Sequence, residues 1–109
     1  MTRPLESEIR QLHAQICQAL ADPTRIMLLY ALVEKSKNVG ELAEELNMSQ
    51  PNISRHLKVL RERGMVNATR DGANMVYSLA DARVIEALDL MRQVLGDHLA
   101  ASAQLAEAM

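Results

Sequence analysis

The chain has 109 residues, with 12 Lys+Arg against 14 Asp+Glu, one Cys, no Phe or Trp and 49% hydrophobic residues; this fits one domain over residues 1–109 whose modest core favours further burial against a second copy. Apolar runs such as Ile26 to Leu29 fall far short of the roughly 20 residues that cross a bilayer, and the N-terminus, carrying Arg3, Glu6, Glu8 and Arg10, has no secretory pattern, so a cytoplasmic protein with no membrane partner is expected. Cys17 alone forms neither an intrachain disulfide nor a Cys-rich zinc site.

Leu5, Ile9, Leu12, Ile16 and Leu20 recur at helical spacing and predict a first helix over roughly 5–20. Asp22 followed by Pro23 reads as a cap and first helical residue, and Ile26, Leu29, Tyr30 and Val33 carry a second helix to about residue 35. After the polar break Lys35-Ser36-Lys37, Asn38 caps a short third helix whose Val39, Leu42, Ala43 and Leu46 face inward. Asn47, Met48 and Ser49 leave only a tight connector before a fourth helix, capped by Ser49 with Pro51 in its first turn, and two helices joined this closely suggest a helix-turn-helix. Ile53, Leu57 and Leu60 line one side of that helix, and Gly64 stands where a left-handed residue would end it. Met65, Val66 and Thr69, then Met75, Val76, Tyr77 and Leu79, read as two strands around the turn residues Asp71, Gly72, Ala73 and Asn74, which makes a wing. Asp81 is placed to cap a last helix striped by Val84, Leu88, Met91, Leu95 and Leu99, with Ala100, Ala101, Ser102 and Ala103 near its end. That stripe is broader than one small core requires. The expected fold is mainly α with a small β-hairpin wing, a winged helix-turn-helix of about five helices dimerising through its terminal helices.

Cutting the chain in three uncovers a polarity hidden by the net charge of -2. Residues 1–48 hold 5 basic and 7 acidic side chains and residues 71–109 hold 2 and 6, whereas the stretch from Ser49 to Arg70 sets Arg55, Lys58, Arg61, Arg63 and Arg70 against Glu62 alone. Such a cationic segment on a capped helix is an electrostatic footprint for a polyanion, although a solvated basic face would look the same. Tyr30 and Tyr77 are the only aromatics, too few for base-stacking platforms, which favours double-stranded DNA over single strands or RNA. On the outward side of the fourth helix Gln50, Asn52, Ser54 and Arg55 form a reading set for base edges in a major groove, with Lys58 and Arg70 as phosphate clamps. Ser49 is a cap that also sits where a phosphate would approach. His56, at the edge of the apolar stripe, is either a packed neutral imidazole or a DNA contact. Two such helices in a dimer would enter successive major grooves about 34 Å apart on an imperfect palindrome. Ser54 and His56 point about 200° apart on a helix and cannot act as nucleophile and base, and no phosphate-cradling Gly-rich loop is present, so no enzyme is expected.

Leu20-Ala21-Asp22-Pro23-Thr24-Arg25 and Ser49-Gln50-Pro51-Asn52-Ile53-Ser54-Arg55-His56-Leu57 together resemble the ArsR/SmtB family of winged helix-turn-helix repressors, and the likeness continues through Gly64, Val76-Tyr77-Ser78-Leu79 and the terminal helix. The resemblance implies a homodimeric repressor that leaves its promoter when a metal ion or another signal binds. It places Ser49, Gln50, Asn52, Ser54, Arg55 and His56 in the DNA-contacting segment and Arg70 in the wing. The family's sensing motifs are not matched: Ala43 and Glu45 stand in place of a Cys-x-Cys box, Arg83 follows Asp81 where a His would, and Ala101 stands three after His98. The remaining candidates for a transition-metal effector are His13 and Cys17, four apart, with Asp97 and His98. The plainer reading, with no cofactor, is a flank histidine at His13 and a small buried apolar residue at Cys17. Two other functions stay open on the sequence: a winged-helix module that binds another protein, and a DNA-binding protein that needs no effector.

Overall fold

The computed structural model describes residues 2–109. Helix α1 (Glu6–Leu12) carries Glu6 and Glu8 in its first turn, where free N–H groups favour negative charge. The single helix expected over 5–20 is interrupted, because His13–Cys17 winds as a π-helical turn in which Gln18 N–H donates to His13 O. A π-turn inserts one residue into the helical ladder, so the five-residue apolar stripe splits. Ile16 and Leu20 pack on the core beside fully buried Ala19, while Leu5, Ile9 and Leu12 remain exposed.

Helix α2 (Pro23–Ala31) begins as expected, with Asp22 Oδ1 accepting the Thr24 N–H at 2.8 Å. It stops four residues before position 35. Leu32 and Val33 donate to Leu29 O and Tyr30 O, bonds that reach only three residues back and tighten the last turn. Lys37–Asn38 then forms a short strand, β1, which no sequence pattern announced, since two residues have no visible alternation.

Helix α3 (Val39–Leu46) is closed by a reciprocal capping box, Asn38 Oδ1 accepting from Glu41 N–H at 2.8 Å and Glu41 Oε1 from Asn38 N–H at 3.0 Å. It ends at Asn47 with φ 54°, and Met48 N–H closes onto Ala43 O at 2.9 Å. Helix α4 (Gln50–Glu62) starts at once: Ser49 Oγ accepts the Asn52 N–H at 3.3 Å. Its end repeats the same device, with Gly64 at φ 77° and Met65 N–H donating to Leu60 O at 2.8 Å. A Cβ at Gly64 would meet nothing within 4 Å, so only the left-handed backbone resists substitution. Gly64→Ala is therefore expected to lower stability by about 1 kcal/mol in urea unfolding while leaving the fold unchanged.

Strands β2 (Val66–Asp71) and β3 (Asn74–Leu79) pair antiparallel from Val66↔Leu79 to Asp71↔Asn74, and β1 adds to β3 through Lys37↔Tyr77, giving the order β1-β3-β2. Asp71 and Asn74, expected in the turn, are the last pair of the ladder; the loop is only Gly72 and Ala73. Gly72 has φ 63° and Ala73 a negative φ, the pattern of a type II′ hairpin. Before helix α5 (Arg83–Ala108), Asp81 Oδ1 accepts the Arg83 N–H at 2.9 Å, and the Arg83 side-chain and backbone bonds hold its carboxyl at about 2.

Leu28, Leu29, Leu42, Ile53, Leu57 and Leu60 are fully buried, so the core lies where α2, α3 and α4 meet, closed below by Met65, Val66 and Leu88. Of the 26 residues of α5 only Leu88 is buried. The radius of gyration is accordingly 17.0 Å, against about 13 Å for a compact chain of this length. The excess reflects the terminal helices: α1 has no buried residue, and most of α5 projects beyond the core.

Candidate nucleic-acid interface

Burying Ile53, Leu57 and Leu60 fixes the rotation of α4 about its axis and leaves Gln50, Ser54, Arg55 and Lys58 exposed on the outer side, with Asn52 and His56 half-buried at its flanks. Ser49 is exposed, but its hydroxyl is engaged as the cap. Arg55 Nη2 donates to Asn52 Oδ1, so two of the sequence-derived readers are tied to each other in the free protein. Arg70 is exposed on β2, opposite Met75. Between α4, the start of α3 and the wing lies a cleft of about 550 Å³ lined by Asn38, Gly40, Gln50, Ser54, Asn74 and Tyr77. Gly40 lies close to both walls of this cleft, where a Cβ would meet Asn38 Oδ1 and Gln50 Nε2 at ordinary contact distance for a side chain.

Not every cation of the basic segment faces outward. Arg63 donates to Ala14 O of the π-turn, and Gln15 Nε2 donates to Arg63 O at 3.4 Å, so this pair binds the first helical segment to the end of α4. Sequence reasoning counted Arg63 as part of the footprint because charge alone does not reveal a partner 49 residues away.

Two residues received no role from the sequence beyond motif or periodicity. Arg25 is half-buried and bridges three elements: Nε donates to Ala19 O at 2.7 Å, Nη2 to Gln18 O at 2.9 Å, and Nη1 lies 3.4 Å from His56 Nδ1. Beside it, burial raises the Asp22 carboxyl, but the Thr24 N–H bond with the His56 and Arg25 side chains outweighs this and holds it below the usual carboxylate range. Tyr30 OH donates to Asp89 Oδ1 at 2.6 Å, and the Arg92 guanidinium stands 5.2 Å from the ring centroid. Burial and the Asp89 bond push the Tyr30 hydroxyl up, so it stays a donor and links α2 to α5.

The metal candidates do not assemble within the chain. His13 and Cys17 are exposed on the π-turn, His13 Nε2 lying 3.4 Å from Gln18 Nε2, and Asp97 and His98 are exposed on α5. Among the described residues no three His, Cys, Asp or Glu come together as a ligand set. The exposure of Cys17 also corrects its reading as a small buried residue: it ends the π-turn outside the core on which Ile16 and Leu20 pack. No helix among these residues is long and apolar enough to cross a membrane.

The model of bacterial regulatory proteins of the arsR family matches residues 22–68, which run from the Asp22 cap through α4 into β2. An HTH-type transcriptional regulator of Mycobacterium tuberculosis, Rv0081, is 42% identical over 93 residues, covering 84% of this chain and 82% of its own. The chain belongs to the ArsR family. This ArsR-family protein is a DNA-binding transcriptional regulator, and its winged helix-turn-helix fold agrees with the crystal structure of Rv0081 at a TM-score of 0.77 and 37% identity, over 94% of this chain and 99% of that one. It is similar to a probable mercury resistance operon repressor of Streptomyces lividans, 40% identical over 88 residues and covering 81% of this chain and 70% of that protein. A further likeness is the homodimeric winged helix-turn-helix DNA-binding domain Mb0332 of Mycobacterium bovis, at a TM-score of 0.75 and 26% identity over 91% and 94% of the two chains.

Proposed function

We propose that this ArsR-family regulator is a cytoplasmic, non-enzymatic homodimeric repressor that folds as one domain over residues 1–109 and recognises an imperfect palindrome in double-stranded DNA. The observation that carries the reading is the rotation of α4, whose apolar side is sealed while Gln50, Ser54, Arg55 and Lys58 stand exposed beside a cleft that leads to the wing. Arg55, Asn52, Gln50 and Ser54 would meet base edges; Ser49, His56, Lys58 and Arg70 would meet the backbone on either side. Dimerisation would proceed through the exposed apolar residues of α1 and α5, in keeping with the homodimeric Mb0332 domain. Release by an effector belongs to the proposal, but it assigns no ligand residues, since the metal candidates do not fit a site within one protomer.

Fluorescence anisotropy with the duplex upstream of the protein's own gene tests the reading. Affinity should exceed that for unrelated DNA by roughly a thousandfold or more, and should fall about a thousandfold between 50 and 200 mM salt if some six phosphates are neutralised per dimer. Equal affinity for unrelated duplexes, or binding indifferent to salt, would point instead to a module that recognises another protein.

A further inference from the structure

Arg25 on α2 meets His56 on the flank of α4, with Nη1 3.4 Å from Nδ1. A guanidinium has five N–H donors and no acceptor, so in this contact Nδ1 of the imidazole accepts. A neutral imidazole that accepts at Nδ1 carries its proton at Nε2. His56 is half-buried, and Nε2 has no hydrogen-bond partner. Among the described residues no buried side-chain nitrogen or oxygen lacks a partner, so Nε2 is open to solvent. Arg25 itself cannot swing away freely, because its other two nitrogens are held by Ala19 O and Gln18 O. The guanidinium is a rigid bracket: it is anchored on the end of the first helical segment and directed at one ring nitrogen on the flank of α4.

We propose that Arg25 is a positioning residue for DNA binding, holding His56 as the Nε2–H tautomer so that this donor faces outward to a phosphate oxygen of the DNA backbone. The flank of a helix lying in a major groove faces the groove wall, where phosphates rather than base edges are met. The claim rests on the DNA-binding reading above and adds to it a residue on a different helix, one that does not itself reach the nucleic acid. Lysine cannot replace it, since a single ammonium on a flexible stem cannot hold two carbonyls and a ring nitrogen together.

Two measurements decide it. Long-range 1H–15N correlation on the DNA-free protein at about pH 8.5, where an ordinary imidazole is neutral, with His56 assigned by its loss in His56→Phe, should show a single tautomer protonated at Nε2. Arg25→Lys should move those shifts toward a mixture. A wild-type His56 already mixed, or protonated at Nδ1, would overturn the proposal whatever the variants do.

In operator titrations Arg25→Lys and His56→Phe should each weaken binding by about five- to tenfold, and the double variant by no more than His56→Phe alone, as expected of residues acting through one contact. A neutral donor releases no counterion, so Arg25→Gln should leave the slope of log K against log salt unchanged. Additive losses, or a slope reduced by about one per protomer, would overturn the proposal, the latter by making Arg25 a phosphate ligand in its own right. Additive losses with intact wild-type binding sink this inference alone; absence of specific wild-type binding sinks the regulator reading first.

Discussion

Leu95→Glu and Leu99→Glu introduced together are expected to hold the protein as a monomer and to weaken its binding to a two-half-site operator by roughly 10²- to 10⁴-fold. Leu95 is 57% and Leu99 62% exposed in the isolated chain, alongside exposed Leu90, Met91 and Val94 on the same helix. Monomeric soluble proteins rarely leave so continuous an apolar stripe in water, and the contacts of α5 with its own chain stay near its start, through Val84, Ile85 and Leu88 on the core and Asp89 and Arg92 at Tyr30. Placing carboxylates in that seam sets like charges against each other and leaves them desolvated, which opposes association far more strongly than truncation to Ala would. The loss on DNA follows because the second half-site then binds as a separate event instead of at the high effective concentration set by the dimer. Sedimentation should show one chain where the parent shows two. Thermal unfolding monitored at low protein concentration should differ little for the α2–α4 core, which neither residue touches. A variant that still sediments as a dimer, or a monomer with undiminished operator affinity, would remove α5 from the interface or the dimer from the mechanism.

What the sequence disclosed follows from which signals are local. The capping residues Asp22, Asn38 and Ser49, the left-handed Gly64 and the apolar positions Leu42, Ile53, Leu57 and Leu60 act within one or two turns, and each sits where its spacing places it. Non-local partners were not legible. Nothing in Lys37-Asn38 announces that it pairs with Val76 and Tyr77, and nothing in Arg63 announces its bond to Ala14 O. The π-turn was hidden for a related reason: the apolar spacing of Ile9, Leu12, Ile16 and Leu20 suits an uninterrupted helix, and the insertion coincides with Arg63 taking up the Ala14 carbonyl. At the interface the outward residues were legible because three buried neighbours on α4 set its rotation. The Arg25 bracket was not, because it depends on two turns of chain meeting in space.

Arg55→Ala is expected to cost roughly 1–3 kcal/mol of operator affinity at each half-site, about 2–6 kcal/mol for the dimer, and to relax discrimination at one base position in each half. In the free protein the Arg55 guanidinium is already directed along the outer face by its bond to Asn52 Oδ1, so it loses less side-chain freedom on reaching a base than an unrestrained Arg would. Its removal also releases Asn52, whose amide would then turn freely, so the adjacent position should lose some selectivity too. Lys58→Ala provides the contrast. As an exposed ammonium one turn further along α4, it should weaken all sequences about equally and lower the salt slope by about one per protomer. Arg55 is itself exposed, so unfolding stability should stay within about 0.5 kcal/mol of the parent, which separates a recognition effect from a folding one. Affinities measured against a panel of operators substituted one base pair at a time decide the point. If Arg55→Ala lowers every member of the panel by the same factor, the side chain grips phosphate, and base reading must rest on Gln50, Asn52 and Ser54 instead.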